Sequence, residues 1–170
     1  MSDATHADLG PHRATILAML EESYAGPAWH GPSVVDALDG VGAPIAARKP
    51  RAERNSIWEL VLHLAHGRHL LIERTIEREI APFPREIREP WWPVSPADTS
   101  EAEWRADVAL LDDRQGLLLD SIRRATPSQL ARVPPGSQHS VARQLLGMVL
   151  HDSYHAGQIR LLALMAGDTE

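Results

Sequence analysis

The stretch His151-Asp152-Ser153-Tyr154-His155 lies within a run of apolar residues at helical spacing. The run, 140–166, has the stripe of a core-facing helix, formed by Val141, Leu145, Met148, Ile159 and Leu162. An H-x-x-x-H pair places two imidazoles one turn apart on the same face, which suits two ligands of one metal ion. His155 falls in this stripe, with His151 and Asp152 on either side. A metal ion or a hydrogen-bond network must satisfy these groups, because an unpaired buried polar group costs about 1–3 kcal/mol.

Three further segments have the apolar spacing of amphipathic helices. We predict them over 8–25, over 56–80 and from 100 to just before Pro127, with a short helix over 33–38. Capping boxes of the S-x-x-E form, beginning at Ser56 and Ser100, open the second and third long helices. No segment shows strand alternation. Four long helices in 170 residues predict an all-α chain, with residues 1–170 forming one four-helix-bundle domain.

The segment 81–98 separates the second and third long helices. It contains five prolines and the pair Trp91-Trp92, too many prolines for a regular helix or a central strand. About eighteen extended residues can span about 50 Å, whereas a helix of about 25 residues is about 37 Å long. We therefore expect a long crossover that packs along the bundle or at an oligomer interface. The paired tryptophans and the outer face of the second long helix favour a homodimer.

The second long helix carries His63, His66 and His69. On a helical wheel His63 borders the apolar stripe beside Leu60 and Gly67, whereas His66 lies nearly opposite it. His63 is therefore the histidine best placed to face the core. We expect His66 and His69 on the outer or interface side of the helix.

Trp29 and His30 lie between turn-forming residues in the connection that follows the first helix. We expect Trp29 to anchor this connection to the bundle, because tryptophan is usually largely buried. The alternative is that Trp29 and His30 line a pocket at the histidine site.

Composition excludes several classes of function. The net charge of -6 argues against general affinity for nucleic acid or for an anionic membrane, since either would need a basic patch. With 0 Cys the chain has no thiolate ligand and no cysteine nucleophile, so a metal must be held by histidine and carboxylate groups. We expect no signal peptide, because residues 1–10 are polar and acidic, and no apolar run of the sequence reaches membrane-spanning length. We expect a cytoplasmic protein.

Two motifs of this chain resemble the DinB superfamily, a group of DinB/YfiT-like metalloenzymes. They are Trp58-Glu59-Leu60-Val61-Leu62-His63-Leu64-Ala65-His66 and Leu150-His151-Asp152-Ser153-Tyr154-His155-Ala156-Gly157-Gln158-Ile159. The connection Pro27-Ala28-Trp29-His30-Gly31-Pro32 is similar to one branch of it, so the resemblance covers nearly the whole chain. It implies a divalent metal bound by His63, His151 and His155 inside a four-helix bundle, often in a homodimer.

Three imidazoles on one side of an ion leave open positions for water or substrate. Zinc, nickel and iron all accept such ligands. Asp152 is expected to support the site or to add a ligand, Gln158 lies close by, and Asp152 and His30 are the candidates for a general base. Because His66 is also near, its contribution as a ligand stays open.

The resemblance also implies a class of reaction, since characterised members include transferases and isomerases that use mycothiol, bacillithiol or glutathione. Three hypotheses follow. The first is a divalent-metal-dependent enzyme, most of all a transferase that takes a low-molecular-weight thiol as cosubstrate and acts on a small-molecule substrate. The second is a metal-binding module without catalysis. The third is a structural, dimeric helical bundle whose histidines are hydrogen-bonded core residues.

Overall fold

The computed structural model describes residues 9–76, 80–89 and 91–167, and most of these residues are helical. The all-α prediction is confirmed. In chain order the elements are α1 (Leu9–Ala25), α2 (Val34–Leu38), α3 (Ala43–Ala47), α4 (Ile57–Ile76), β1 (Ile87–Glu89), β2 (Trp92–Pro93), α5 (Glu101–Arg124), α6 (Pro127–Ala131) and α7 (Val141–Gly167). The predicted start of the first helix at residue 8 lies outside the described residues.

The long helices begin where their capping residues predict. The Ser56 hydroxyl accepts the Glu59 N–H at 3.2 Å, and the Glu59 carboxylate accepts the Ser56 N–H at 2.8 Å, which closes the box before α4. Before α5 the Ser100 hydroxyl accepts the Glu103 N–H at 3.3 Å. The Glu103 carboxylate instead receives Arg85 at 2.9 Å, so the second predicted box is only half formed.

The proline-rich segment contains a short antiparallel pair, β1 and β2, with Ile87 opposite Pro93 and Glu89 opposite Trp92. The sequence shows no strand alternation here, so this pair was not predicted. The pair is very short because proline has no N–H to donate to a ladder. The small helices α3 and α6 were also not predicted, since five residues are too few to show a helical period.

Each of the four long helices packs against two of the others. Helix α4 contacts α5 and α7, and α1 contacts the same two helices. Near the beginnings of α4 and α5, Trp58 Nε1 donates to Asp107 Oδ2 at 2.7 Å. Further along both helices, Arg68 Nε donates to Gln115 Oε1 at 2.8 Å. Helices α4 and α5 therefore begin at the same end of the molecule and run parallel.

Helices α4 and α7 run in opposite directions. His63, early in α4, lies beside His151, which is the eleventh residue of the 27-residue α7. Arg74, near the end of α4, donates to Gln144 near the start of α7 at 2.7 Å. Because of this alignment, the histidines of one helix face those of the other.

Two clusters of buried apolar residues form the core. One contains Trp58 and Trp104, whose ring centroids lie 5.2 Å apart, and the other contains Leu118, Ile122 and Leu145. No helix among the described residues has both the length and the apolar character needed to cross a bilayer.

Candidate metal centre

Three imidazoles meet where α4 packs against α7. His63 comes from α4, and His151 and His155 come from adjacent turns of α7. The Nε2 atom of His151 lies 2.9 Å from Nε2 of His63 and 3.1 Å from Nε2 of His155. The ligand atoms of the three residues all lie within 4.8 Å of one another.

Hydrogen bonds on the far side of two rings fix their orientation. His63 Nδ1 lies 2.7 Å from the Trp91 carbonyl oxygen, and His155 Nδ1 lies 2.7 Å from Gln158 Oε1. Both partners are acceptors, so each Nδ1 carries the proton and each Nε2 presents a lone pair to the centre. The Trp92 ring stacks on His63 with centroids 4.2 Å apart, which holds that imidazole against rotation.

The arrangement of the Nε2 atoms favours a bound cation. Two of the three Nε2 atoms are bare acceptors, and a proton on His151 Nε2 could be shared with one of them at a time. His151 Nδ1 is buried without a hydrogen-bond partner among the described residues, so neither tautomer of this ring is fully satisfied. A tetrahedral ion with metal–nitrogen distances of about 2.0–2.1 Å would hold its ligands about 3.3 Å apart, close to the separations of 2.9 and 3.1 Å that His151 Nε2 makes with the other two rings.

The histidines are kept neutral, as metal ligands must be. Burial, together with the neighbouring His155 and His63, lowers the pKa of His151 to about 3. Burial likewise lowers the pKa of His155 to about 4, although its hydrogen bond to Gln158 opposes the shift. The pKa of His63 is also lowered by burial, against the opposing effect of the Trp91 carbonyl.

Asp152 does not join the three histidines. Both of its carboxylate oxygens accept Arg68 Nη2 at 2.8 Å, and Oδ2 also accepts the Ser23 hydroxyl at 3.0 Å. The Arg68 and Asp152 side chains are 0% exposed. Burial raises the pKa of Asp152, while Arg68 and Ser23 stabilise its ionised form. Asp152 thus ties α7 to α4 and α1 immediately beside His151.

Arg68 is the residue of this region that the sequence reasoning missed. Its Nε donates to Gln115 on α5, its Nη2 to Asp152, and its guanidinium carbon lies 5.0 Å from the centroid of the Tyr24 ring. An arginine in the middle of an amphipathic helix, next to the apolar stripe, was the available signal. Its position five residues after His63 places it near the site.

The expectation that His66 and His69 lie on an outer face is wrong, because both are buried. The Phe83 ring, from the proline-rich segment, covers them with centroids 5.1 Å from His66 and 5.5 Å from His69. Burial lowers the pKa of both imidazoles. Within the described residues, the cluster of possible metal ligands contains His63 and not His66.

The expectation that Trp29 anchors its connection to the core is also wrong, since its side chain is 92% exposed. His30 Nε2 lies 3.3 Å from the Ser153 hydroxyl, on the surface of α7. Among the described residues, neither Trp29 nor His30 lines the cavities beside the three histidines. Gln158, in contrast, contacts His155 directly.

Two cavities reach the histidines from different sides. The first, of about 220 Å³, is lined by His63 and His151 and continues between α4 and α7 to Arg74 and Gln144. The second, of about 370 Å³, has a different set of lining residues that includes His155, Gln158, Tyr154, Arg54 and Asn55. The centre is therefore accessible to small molecules.

A comparison with known families matches residues 32–159 to the model described as the DinB superfamily. The match covers three quarters of the chain and includes all three histidines. No curated protein and no solved structure matches the chain.

Proposed function

Because the chain belongs to the DinB superfamily, we propose that it is a divalent-metal-dependent enzyme that transfers a low-molecular-weight thiol to a small electrophilic substrate. The observation that carries this proposal is the convergence of the Nε2 atoms of His63, His151 and His155 at an accessible position. A structural role for these histidines would not require three ring nitrogens to be aimed at one another.

The three histidines would hold zinc, nickel or iron. When bound, such a metal supplies a Lewis-acid centre at which a thiol ionises near neutral pH. The Trp91 carbonyl and Gln158 keep the rings of His63 and His155 in the tautomer that binds a metal. The ion pair of Arg68 with Asp152 fixes the turn of α7 that carries His151.

The thiol must come from solution, because the chain contains 0 Cys. The 370 Å³ cavity suits it, since Arg54 and Asn55 offer hydrogen-bond donors to the carboxylate, amide or hydroxyl groups that such thiols carry. The thiolate sulfur would form a bond to the electrophilic carbon of the substrate, whose leaving group departs with its electron pair. A cytoplasmic location, where such thiols are kept reduced, is part of the proposal.

We also propose the arrangement in which this site works. The four long helices form one four-helix-bundle domain, and 81–98 is the crossover that the parallel direction of α4 and α5 requires. Helix α7 has an exposed apolar stripe on which a homodimer could form: Leu150, Tyr154, Leu161, Leu164 and Met165. Light scattering on the wild type and on Leu161→Glu tests this, and two monomers of equal mass would refute it.

A second candidate function is metal binding without catalysis. The observation that favours it is the shortage of catalytic groups, since no carboxylate of the described residues lines either cavity. An assay of thiol transfer distinguishes the enzyme from the non-catalytic module, because only the enzyme would convert substrate to product.

The test begins with elemental analysis of protein purified without a histidine tag. We expect about one equivalent of a transition metal in the wild type and in His139→Ala, whose histidine is exposed, and little in His63→Ala. The metal-loaded protein is then assayed for conjugation of glutathione, mycothiol or bacillithiol with chlorodinitrobenzene. Metal without conjugation of any thiol would favour the non-catalytic module, and absence of metal would refute both.

A further inference from the structure

The smaller cavity beside the histidines has one charged group at its far end. It is lined by His63 and His151 at one end and by Arg74 and Gln144 at the other, with Leu70, Leu71 and Met148 along its walls. No acidic residue of the described chain lines it. A mostly apolar cavity with a few convergent polar groups is the usual form of a small-molecule site.

Arg74 is held by a hydrogen bond and has no acidic partner within the part of the chain that the structure describes. Its Nη1 donates to Gln144 Oε1 at 2.7 Å, and Gln144 is held in turn because its Nε2 donates to the His139 carbonyl at 2.9 Å. Arg74 forms no ion pair with any residue that the structure describes. A fixed guanidinium with free donors is suited to a carboxylate, which it can bind through two parallel hydrogen bonds.

The shape of the cavity limits what can fill it. His151 and Gln144 are seven residues apart on α7, which corresponds to about 10 Å along the helix axis. A volume of about 220 Å³ over that length admits only a small ligand.

Two glycines keep the cavity open, one from each helix. A Cβ built at Gly147 meets no atom within 4 Å, so the space beside it is free. A Cβ at Gly67 lies 3.2 Å from Met148 Cε, so this position allows close approach of the two helices.

We propose that this cavity binds a small apolar carboxylic acid, with its carboxylate on Arg74 and its apolar end directed toward His63 and His151. The role of this acid as the substrate of the metal centre rests on the proposed function. Its binding does not, because Arg74, Gln144 and the apolar walls are present without a metal. An amine of the same size is disfavoured by the positive charge of Arg74.

The experiment compares hexanoate, hexanol and hexylamine, which share one chain and differ in their polar group. Each is titrated into ¹⁵N-labelled protein, with and without zinc, and the amide signals of Gly67 and Gly147 are followed. We expect hexanoate to bind about tenfold more tightly than hexanol, and hexylamine to bind most weakly. Equal affinity for hexanoate and hexanol would refute the assignment.

Variants locate the site. Arg74→Gln should weaken hexanoate about tenfold and leave hexanol unchanged, whereas Arg143→Gln, which removes an exposed arginine of α7, should change neither. Gly147→Leu should abolish the binding of all three compounds without unfolding the helix, because leucine is the better helix former. If Arg74→Gln still binds hexanol, the variant is folded. Hexanoate binding that is as tight as in the wild type, in either Arg74→Gln or Gly147→Leu, would overturn the proposal. Metal content, measured on the same samples, reports separately on the proposed function.

Discussion

Replacing Asp152 by asparagine is expected to damage both the stability of the protein and its metal centre. The change keeps the shape of the side chain but removes the charge that pairs with Arg68, and both side chains are 0% exposed. Removing one member of a buried ion pair typically costs about 3–5 kcal/mol, because the other charge is left buried and unpaired. With a loss of about 4 kcal/mol and about 2–4 °C per kcal/mol for a chain of this size, Tm should fall by about 8–16 °C.

The assay is urea denaturation of metal-free protein, followed by circular dichroism. Asp113→Asn is the matched control, since Asp113 pairs with the adjacent Arg114 at 2.9 Å but is 58% exposed. This control should lose no more than about 1 kcal/mol. The double variant Arg68→Met with Asp152→Leu removes both buried charges and should recover most of the lost stability.

The same variant tests whether the ion pair positions the metal ligands. Because Asp152 follows His151 directly, Asp152→Asn should weaken zinc binding by about 10–100-fold, as loss of a supporting group around a metal site usually does. A loss of unfolding free energy below about 1 kcal/mol, or a double variant as unstable as Asp152→Asn, would contradict the reasoning from burial.

Three further predictions concern the centre and its surroundings. Gln158→Leu removes the acceptor that fixes the tautomer of His155, so calorimetry should find zinc affinity about 10–100-fold lower while thermal unfolding of metal-free protein changes little. Zinc at about 100 times its Kd should raise the free energy of unfolding of the wild type by about 2.7 kcal/mol in thermal denaturation, and it should not stabilise His151→Ala. Equal stabilisation of both proteins would mean that the metal binds elsewhere. His69→Leu should leave the metal content unchanged and alter unfolding free energy by less than about 1 kcal/mol, because the contact of His69 with Glu73 is long, at 3.7 Å; loss of metal would mean that His69 belongs to the site.

The sequence predicted most of the helical structure and the three histidines that the fold brings together. Where a helix begins is set by interactions between residues that are three or four apart in sequence, such as the capping pair Ser56 and Glu59. These interactions can be recognised in the sequence itself. The pairing of His151 with His155 has the same local origin. His63 could be selected from its helix because its position beside the apolar stripe implied an inward direction.

The surroundings of the histidines depended on contacts between distant parts of the chain. The Trp91 carbonyl accepts a hydrogen bond from His63 Nδ1 across 28 residues, and Arg68 donates to Asp152 across 84 residues. A helical wheel could not place His66, because Phe83 covers a face that the wheel assigned to the outside.

Local periodicity by itself determined which segments are helical, and it determined that His151 and His155 share one face, because both properties arise within a few turns of backbone. The tertiary structure alone decided that Asp152 pairs with Arg68 instead of joining the histidines, and that Arg74 stands at the end of a cavity. Those outcomes depend on how α4 and α7 align. Packing and burial over the whole core set that alignment, so a local sequence pattern cannot predict it.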